Sequence, residues 1–240
     1  MEKAPTIYAL FAFLFQLLPI SYLLSNRLSN LCPSWTGRFL FGCLLCVLPN
    51  TLEIYVNLTN SQWHLAFCTL LILIAEPSSK KLIQIAELLV IAISGLSGPF
   101  CVLLFPVAII ITWLYPNRAR KERLFILTLG CCVQSISLFQ TLHADRSNLS
   151  LGASFVTFAQ ILNTQIFGAS LFGTFNMSKI VKTSLWEDNI FQIAMLIFFS
   201  AYLIGVLYKT NNAIRFICLF AGILLCTSLI TPQISLTDPQ

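Results

Sequence analysis

The chain has 240 residues, of which 57% are hydrophobic and only 10% are charged, and its net charge is +5. Soluble domains carry about 25% charged residues, so a chain this apolar has too little polar surface to face water on all sides. Together with a mean hydropathy of +0.84, the composition excludes a soluble or nucleic-acid-binding protein. It predicts a single all-α domain, a polytopic bundle of transmembrane helices.

Apolar runs between short polar connectors predict where the chain crosses the membrane, because a crossing helix needs about 20 mostly apolar residues. The run 5–24 resembles a signal sequence, but no small-residue cleavage site follows it, so we expect it to remain as the first span. The runs together predict about eight crossings. The predicted spans are 5–24, 39–56, 62–76, 82–96, 99–115, 124–141, 189–208 and 214–232.

The segment 153–175 is ambiguous. Polar and small residues make it poorly suited to face lipid, namely Asn163, Gln165, Gly168 and Gly173. If the segment crosses the membrane, Lys209 and Arg215 lie outside, against the preference of basic residues for the cytoplasmic side. We therefore expect one interfacial or re-entrant helix here in addition to the crossings, and a further crossing is the alternative.

Basic residues in the connectors predict the orientation of the bundle. The connector 117–123 is rich in arginine and lysine and should be cytoplasmic. Counting back along the spans places the connector 25–38 and the loop at Lys80 and Lys81 on the same side. The turn 57–60 and the small-residue break 94–99 then lie at the outer face.

The stretch 49–63 is a polar island between two apolar runs. Polar groups at membrane depth are tolerated where protein or a water-filled cavity covers them. We interpret the island as the outer half of the second span, kinked at Pro49, followed by the turn 57–60. It is the first place to search for a functional site.

Glu53 is the candidate catalytic residue of the island, because a carboxylate in the membrane region is usually paired, buried or facing water. It is suited to act as a general base, a metal-coordinating acid or a proton site. The alternative is an interfacial glutamate that reaches headgroup water. Asn50, Glu53 and Asn57 share one helical face if the helix continues through the island.

Carboxamides beside an aromatic ring commonly hold a sugar or a headgroup by hydrogen bonds and stacking. The candidate substrate-binding residues are Asn50, Asn57, Asn60, Gln62, Trp63 and His64. The alternative is that the amides satisfy broken backbone groups, while Trp63 and His64 are interfacial residues.

A second polar face lies in the span 82–96. Gln84 and Glu87 are spaced with Ile91 and Ser94 on one side of a helix, which predicts that this side points to the bundle interior or to a cavity. The alternative is that Glu87 only reaches toward the lysines of the preceding loop.

Metal and cofactor chemistry is not indicated. Cys43 and Cys46 have the spacing of a metal-binding pair, but no second Cys/His pair follows at zinc-site distance. We therefore expect no metal site and no cofactor.

Pro49, Glu53, the runs 57–66 and 94–100, and Pro106 form a set of residues. The set resembles one found in bacterial multi-pass membrane proteins that are similar to glycosyltransferases of the C-type fold. Those enzymes transfer sugars from polyprenyl-phosphate carriers at the outer face of the inner membrane. The resemblance covers about 45–115 and implies a bacterial inner (plasma) membrane protein whose partners are membrane lipid and a polyprenyl-phosphate-linked sugar.

The resembling enzymes usually place a catalytic acid in the first outer loop after span one, whereas the connector 25–38 has no acid. Three hypotheses therefore stay open. The first is a glycosyltransferase-like enzyme. The second is a small-solute transporter or flippase, for which a broken helix at membrane depth is typical. The third is a non-catalytic membrane partner, or a shortened relative of such an enzyme, that assembles with other membrane proteins.

Overall fold

The computed structural model of the chain describes residues 4–47, 57–142 and 154–230, and this part of the chain contains helices and no strand. In chain order the α-helices are α1 (Ala4–Leu23), α2 (Trp35–Cys46), α3 (Ser61–Ile74), α4 (Lys81–Ser97), α5 (Phe100–Leu114), α6 (Arg118–Leu142), α7 (Phe155–Ile161), α8 (Ala169–Ile180), α9 (Ser184–Glu187), α10 (Asn189–Lys209) and α11 (Asn212–Ile230). A 3-10 helix, Asn26–Leu28, follows α1, and a π-helix, Leu162–Gly168, joins α7 to α8.

Within these ranges, 4 helical stretches are long and apolar enough to cross a membrane: Pro5–Leu23, Arg118–Gln140, Phe155–Ile180 and Asn189–Lys209. The all-helical architecture fits an integral membrane protein. The predicted number of crossings is not confirmed, because the other apolar helices are shorter than a span. The stretch Phe155–Ile180 is longer than the predicted segment 153–175, and its length is sufficient for a crossing.

Most predicted spans coincide with a helix to within a few residues, and two boundaries differ. α2 begins at Trp35 and ends at Cys46, and the kink predicted at Pro49 lies outside the described residues. α6 begins at Arg118, so the predicted connector 117–123 is almost wholly helical. The Asn117 side chain favours this early start, because its Oδ1 accepts a hydrogen bond from Ala119 N at 2.9 Å.

The chain divides into two compact units, and the described part of the first comprises 4–46, 57–142 and 212–230. α3 is the central helix of this unit, because it packs against α1, α4, α5 and α11. Most of its residues between Leu65 and Ile74 are buried. A helix that is apolar on all sides is expected at such a position.

α4 and α6 approach each other closely at Gly95 and Gly130. A Cβ atom added to Gly130 lies 2.9 Å from Gly95 Cα, and one added to Gly95 lies 3.2 Å from Gly130 Cα. Small residues allow helix backbones to come this near in membrane proteins. Glu87 and Arg123 precede these glycines by about two turns on their helices, so the same crossing aligns the two charged residues.

The described part of the second unit comprises Val47 and 154–211. Its core contains a polar network between the π-helix and α10: Asn163 Nδ2 donates to the backbone oxygen and to Oε1 of Gln192, both at 2.8 Å. Gln192 Nε2 donates to Trp186 O at 2.7 Å, and Trp186 Nε1 donates to Thr164 Oγ1 at 3.2 Å. Asn163, one of the residues that made 153–175 a poor lipid-facing span, is therefore turned inward.

Candidate functional site

Tyr8 of α1 holds the turn 57–60 at one end of the first unit. Its hydroxyl lies 2.9 Å from Thr59 Oγ1 and accepts a hydrogen bond from Thr59 N at 3.1 Å. The same hydroxyl donates to Asn57 Oδ1 at 3.4 Å, and Asn57 Oδ1 also accepts from Thr59 N at 3.0 Å. Asn57 therefore stabilises the turn before α3 by bonding to the backbone two residues ahead, as Asn commonly does.

The start of α3 contacts the junction between α4 and α5. The rings of Trp63 and Phe100 lie 4.4 Å apart between centroids and are tilted by 57°. A Cβ atom added to Gly98 would lie 2.0 Å from Gln62 Oε1, so the Gln62 amide lies directly against this glycine. The two polar segments 57–64 and 94–100 thus meet in space, and we call this region the turn site.

The turn site combines an accessible aromatic ring with carboxamides. Trp63 is 44% exposed, and the neighbouring candidates are half-buried, namely Asn57, Asn60, Gln62 and His64. A ring beside amide groups can stack on a sugar and hydrogen-bond to its hydroxyls. Asn50 and Glu53, the other candidates of the polar island, lie outside the described residues.

Glu87 of α4 is buried near the other end of the first unit, with 3% of its surface exposed. Its Oε1 accepts a hydrogen bond from the Tyr22 hydroxyl at 2.5 Å and forms an ion pair with Arg27. Its Oε2 accepts from Arg123 Nη2 at 2.7 Å. The acid therefore points inward, as its position beside Ile91 predicts, and its partners are arginines rather than the lysines of the preceding loop.

The two arginines also bind the chain where α3 ends. Arg123 Nη1 donates to Ile72 O at 2.6 Å and to Ala75 O at 3.1 Å. Arg27 donates from Nε and Nη2 to Glu76 O at 2.8 and 2.5 Å. The last carbonyls of a helix have no partner within the helix, so these bonds complete the end of α3. We call this group, Tyr22, Arg27, Glu87 and Arg123, the ionic cluster.

The predicted polar face of α4 has two different roles along its length. Gln84 is half-buried, and its Nε2 donates to Ser78 O at 2.5 Å, which holds the loop before α4. Glu87 receives donors on both oxygens, so it joins helices together. A carboxylate whose two oxygens are both engaged is suited to holding helices in place and not to reacting with a ligand.

No family model, curated protein or solved structure matches this chain. Among the residues that the structure describes, no group of three or more His, Cys, Asp or Glu side chains is arranged to hold a metal ion. The cysteines are free thiols, and Cys43 and Cys46 are both exposed. The turn site offers hydrogen bonding and stacking, and the ionic cluster offers charge.

The ionic cluster is not apparent from the sequence, because its arginines lie in connectors. Basic residues at such positions indicate topology and are expected in water, but Arg123 is 2% exposed. Arg38, in the connector 25–38, is also buried, and it donates to Cys32 O at 2.9 Å and to Asn26 Oδ1 at 2.7 Å. The one sequence feature that points to this cluster is Glu87 itself, because an acid in an apolar helix requires buried donors.

Proposed function

We propose that this protein is a multi-pass bacterial inner-membrane protein that handles a lipid-linked sugar at the outer face of the membrane, in the manner of a glycosyltransferase. The observation that supports this proposal is the turn site, where two segments distant in sequence meet. Trp63 offers an exposed ring, and Gln62 lies over Gly98 beside it. Polyprenyl carriers keep their sugar at the membrane surface, where an interfacial aromatic residue is well placed to stack on it.

The proposed topology has about eight crossings, with the stretch 155–180 as an interfacial or re-entrant helix, and it puts the turn site outside. α4 has 17 residues, so its two ends are separated by roughly 25 Å, which is most of a hydrocarbon core of about 30 Å. The turn site is at the C-terminal end of α4. Basic residues gather at its other end, namely Lys80, Lys81, Arg118, Arg120 and Lys121, as expected on the cytoplasmic side.

The proposed reaction divides binding and chemistry between two parts of the polar island. Trp63 and the carboxamides of Asn57, Asn60 and Gln62 hold the sugar. Glu53 accepts the proton of an acceptor hydroxyl while that oxygen bonds to the anomeric carbon. The bond from this carbon to the carrier phosphate breaks, and the polyprenyl phosphate leaves with the electron pair.

Proton-coupled transport receives less support from the ionic cluster. Glu87 is the buried acid that such a mechanism requires, but it is already occupied by Tyr22 and two arginines. A coupling proton would have to bind a buried carboxylate that two guanidinium groups already engage, and breaking those pairs is costly.

Sugar binding is tested with the full chain in detergent and a short-chain polyprenyl-phosphate hexose, measured by native mass spectrometry. Trp63→Ala should weaken binding roughly two- to tenfold, because stacking contributes roughly 0.5–1.5 kcal/mol beyond the buried area. Trp113→Ala is the control, since Trp113 is an exposed aromatic residue, at 78%, away from the turn site. Equal losses in both variants, or equal binding of the polyprenyl phosphate without sugar, would contradict the proposal.

Catalysis is tested separately by Glu53→Gln in cells, with the surface glycan profile as the readout. The variant should abolish the glycan change that the intact chain produces while the protein level stays the same. Glu122→Gln is the matched control, because it removes an acid that lies in the second turn of α6, away from the turn site. An unchanged profile in Glu53→Gln, with sugar binding retained, would reject the enzyme and leave a non-catalytic partner of a glycan-assembly protein.

A further inference from the structure

A cleft of about 600 Å³ opens between the first turns of α4 and α6. This volume lies within the range of roughly 300–1,000 Å³ that is typical of ligand sites. The loop before α4 and the turn before α6 form its sides, at the end of α4 opposite the turn site. The cleft is therefore separate from the site on which the proposed function depends.

The walls of the cleft differ in polarity. Lys81 and Arg118 contribute cationic groups, Glu122 contributes one carboxylate, and Ser78 and Ser79 add hydroxyls. Arg118 Nε donates to Glu122 Oε1 at 3.0 Å, and 94% of the Arg118 side chain is exposed, which leaves its terminal amino groups accessible to an anion. One turn further along α4, Ile85 and Leu88 give the cleft an apolar side.

The loop that forms one side of the cleft is fixed to α4. Gln84 Nε2 donates to Ser78 O at 2.5 Å, and Lys80 N donates to Ser78 Oγ at 3.1 Å. Two residues before Ser78, the backbone oxygen of Glu76 accepts a hydrogen bond from Arg27 of the ionic cluster. A ligand in the cleft therefore meets a preformed surface, which lowers the entropic cost of binding.

We propose that this cleft binds the phosphate headgroup of an anionic membrane lipid, with Lys81 and Arg118 on the phosphate and an acyl chain along Ile85 and Leu88. Basic pockets between transmembrane helices on the cytoplasmic side are suited to such headgroups. The apolar side favours a lipid over free phosphate, because a soluble anion has no acyl chain to pack against Ile85 and Leu88. Ile85 is 54% exposed, so the apolar side is open to lipid.

The test is native mass spectrometry of the full chain in detergent, titrated with phosphatidylglycerol or with phosphatidylcholine. The intact protein should retain phosphatidylglycerol preferentially. The double variant Lys81→Gln/Arg118→Gln should weaken its binding by roughly tenfold or more, because each cation near an anionic headgroup contributes on the order of 1 kcal/mol. Leu88→Trp keeps every charge but fills the apolar side, and it should weaken the binding of the same lipid.

Lys80→Gln/Lys121→Gln is the charge-matched control, since neither lysine lines the cleft. It should retain the preference for phosphatidylglycerol. An equal loss in the two double variants would overturn the proposal in favour of diffuse surface charge. Equal retention of the two lipids by the intact protein, or displacement of phosphatidylglycerol by millimolar inorganic phosphate alone, would also overturn it.

Discussion

Arg123 Nη2 donates to Glu87 Oε2 at 2.7 Å, and the two side chains are only 2% and 4% exposed. Removing such charges from water costs several kcal/mol per ion, which good geometry and further hydrogen bonds must offset. Arg123 meets this condition by also binding the carbonyls of Ile72 and Ala75. The pair therefore ties α3, α4 and α6 together, and Arg27 adds the segment after α1.

Glu87→Gln should destabilise the first unit strongly. The substitution removes the counter-charge of Arg123, which is buried, and of Arg27, whose side chain is 19% exposed. Removing one partner of a buried pair costs about 3–5 kcal/mol. Thermal unfolding in detergent measures the change. Glu122→Gln is the control, because its pair with Arg118 is exposed and is worth about 1 kcal/mol or less; similar losses in the two variants would show that the buried cluster does not stabilise the unit.

Gly130→Ala should separate α4 from α6. Its new methyl group meets the Gly95 backbone at 2.9 Å, and backbone cannot rotate away as a side chain can. We expect a loss of about 1–3 kcal/mol, as is typical of overpacking. In Gly222→Ala the new methyl group meets nothing within 4 Å, so this control should be neutral or gain up to about 1 kcal/mol. Equal stability of the two variants would contradict the close crossing.

Tyr8→Phe should loosen the turn site more than it destabilises the fold. The hydroxyl holds Thr59 through both its backbone N–H and its Oγ1, and losing these bonds costs about 1 kcal/mol. The expected result is weaker binding of the polyprenyl-phosphate hexose with a small change in melting temperature. Tyr202→Phe, at a position 67% exposed, is the control and should change neither sugar binding nor melting temperature. Unchanged sugar binding in Tyr8→Phe would show that the turn 57–60 does not contribute to the binding site.

Gln192→Leu should destabilise the second unit. The side chain is fully buried, at 0% exposed, and its loss leaves Asn163 Nδ2 with fewer partners and Trp186 O without the amide that donates to it. A buried group left without a partner costs about 1–3 kcal/mol. Asn176→Ala, which removes an exposed amide bonded to Phe172 O, should cost about 0.5 kcal/mol or less. Hydrogen exchange of the α10 amides is measured in both variants. Equal protection of α10 in Gln192→Leu and Asn176→Ala would contradict a stabilising role for the network.

The positions of the helices could be predicted from the sequence because lipid requires long apolar segments with internally satisfied backbones. The turn 57–60 and the inward orientation of Glu87 followed from the same reasoning. The boundaries at Arg118 and Trp35 could not be predicted, since helices extend beyond the apolar run when local capping favours it.

The partners of Glu87 could not be predicted either. Arg27 and Arg123 are separated from it by 60 and 36 residues, and pairing at such distances depends on how the helices pack. Basic residues near helix ends usually lie in water or at headgroups. The crossing of α4 and α6 at Gly95 and Gly130 brings the helix of Arg123 beside that of Glu87, and a hydropathy profile contains no information on that contact.

The orientation of the turn site is the central claim, because a polyprenyl-linked sugar is available there only if 57–60 faces outward. Thr59→Cys and Lys80→Cys, each in a chain whose native cysteines are replaced, are labelled in intact cells with a membrane-impermeant maleimide. Thr59→Cys should react in intact cells, whereas Lys80→Cys should react only after permeabilisation. The reverse pattern would put the turn site in the cytoplasm and contradict the proposed handling of a lipid-linked sugar at the outer face.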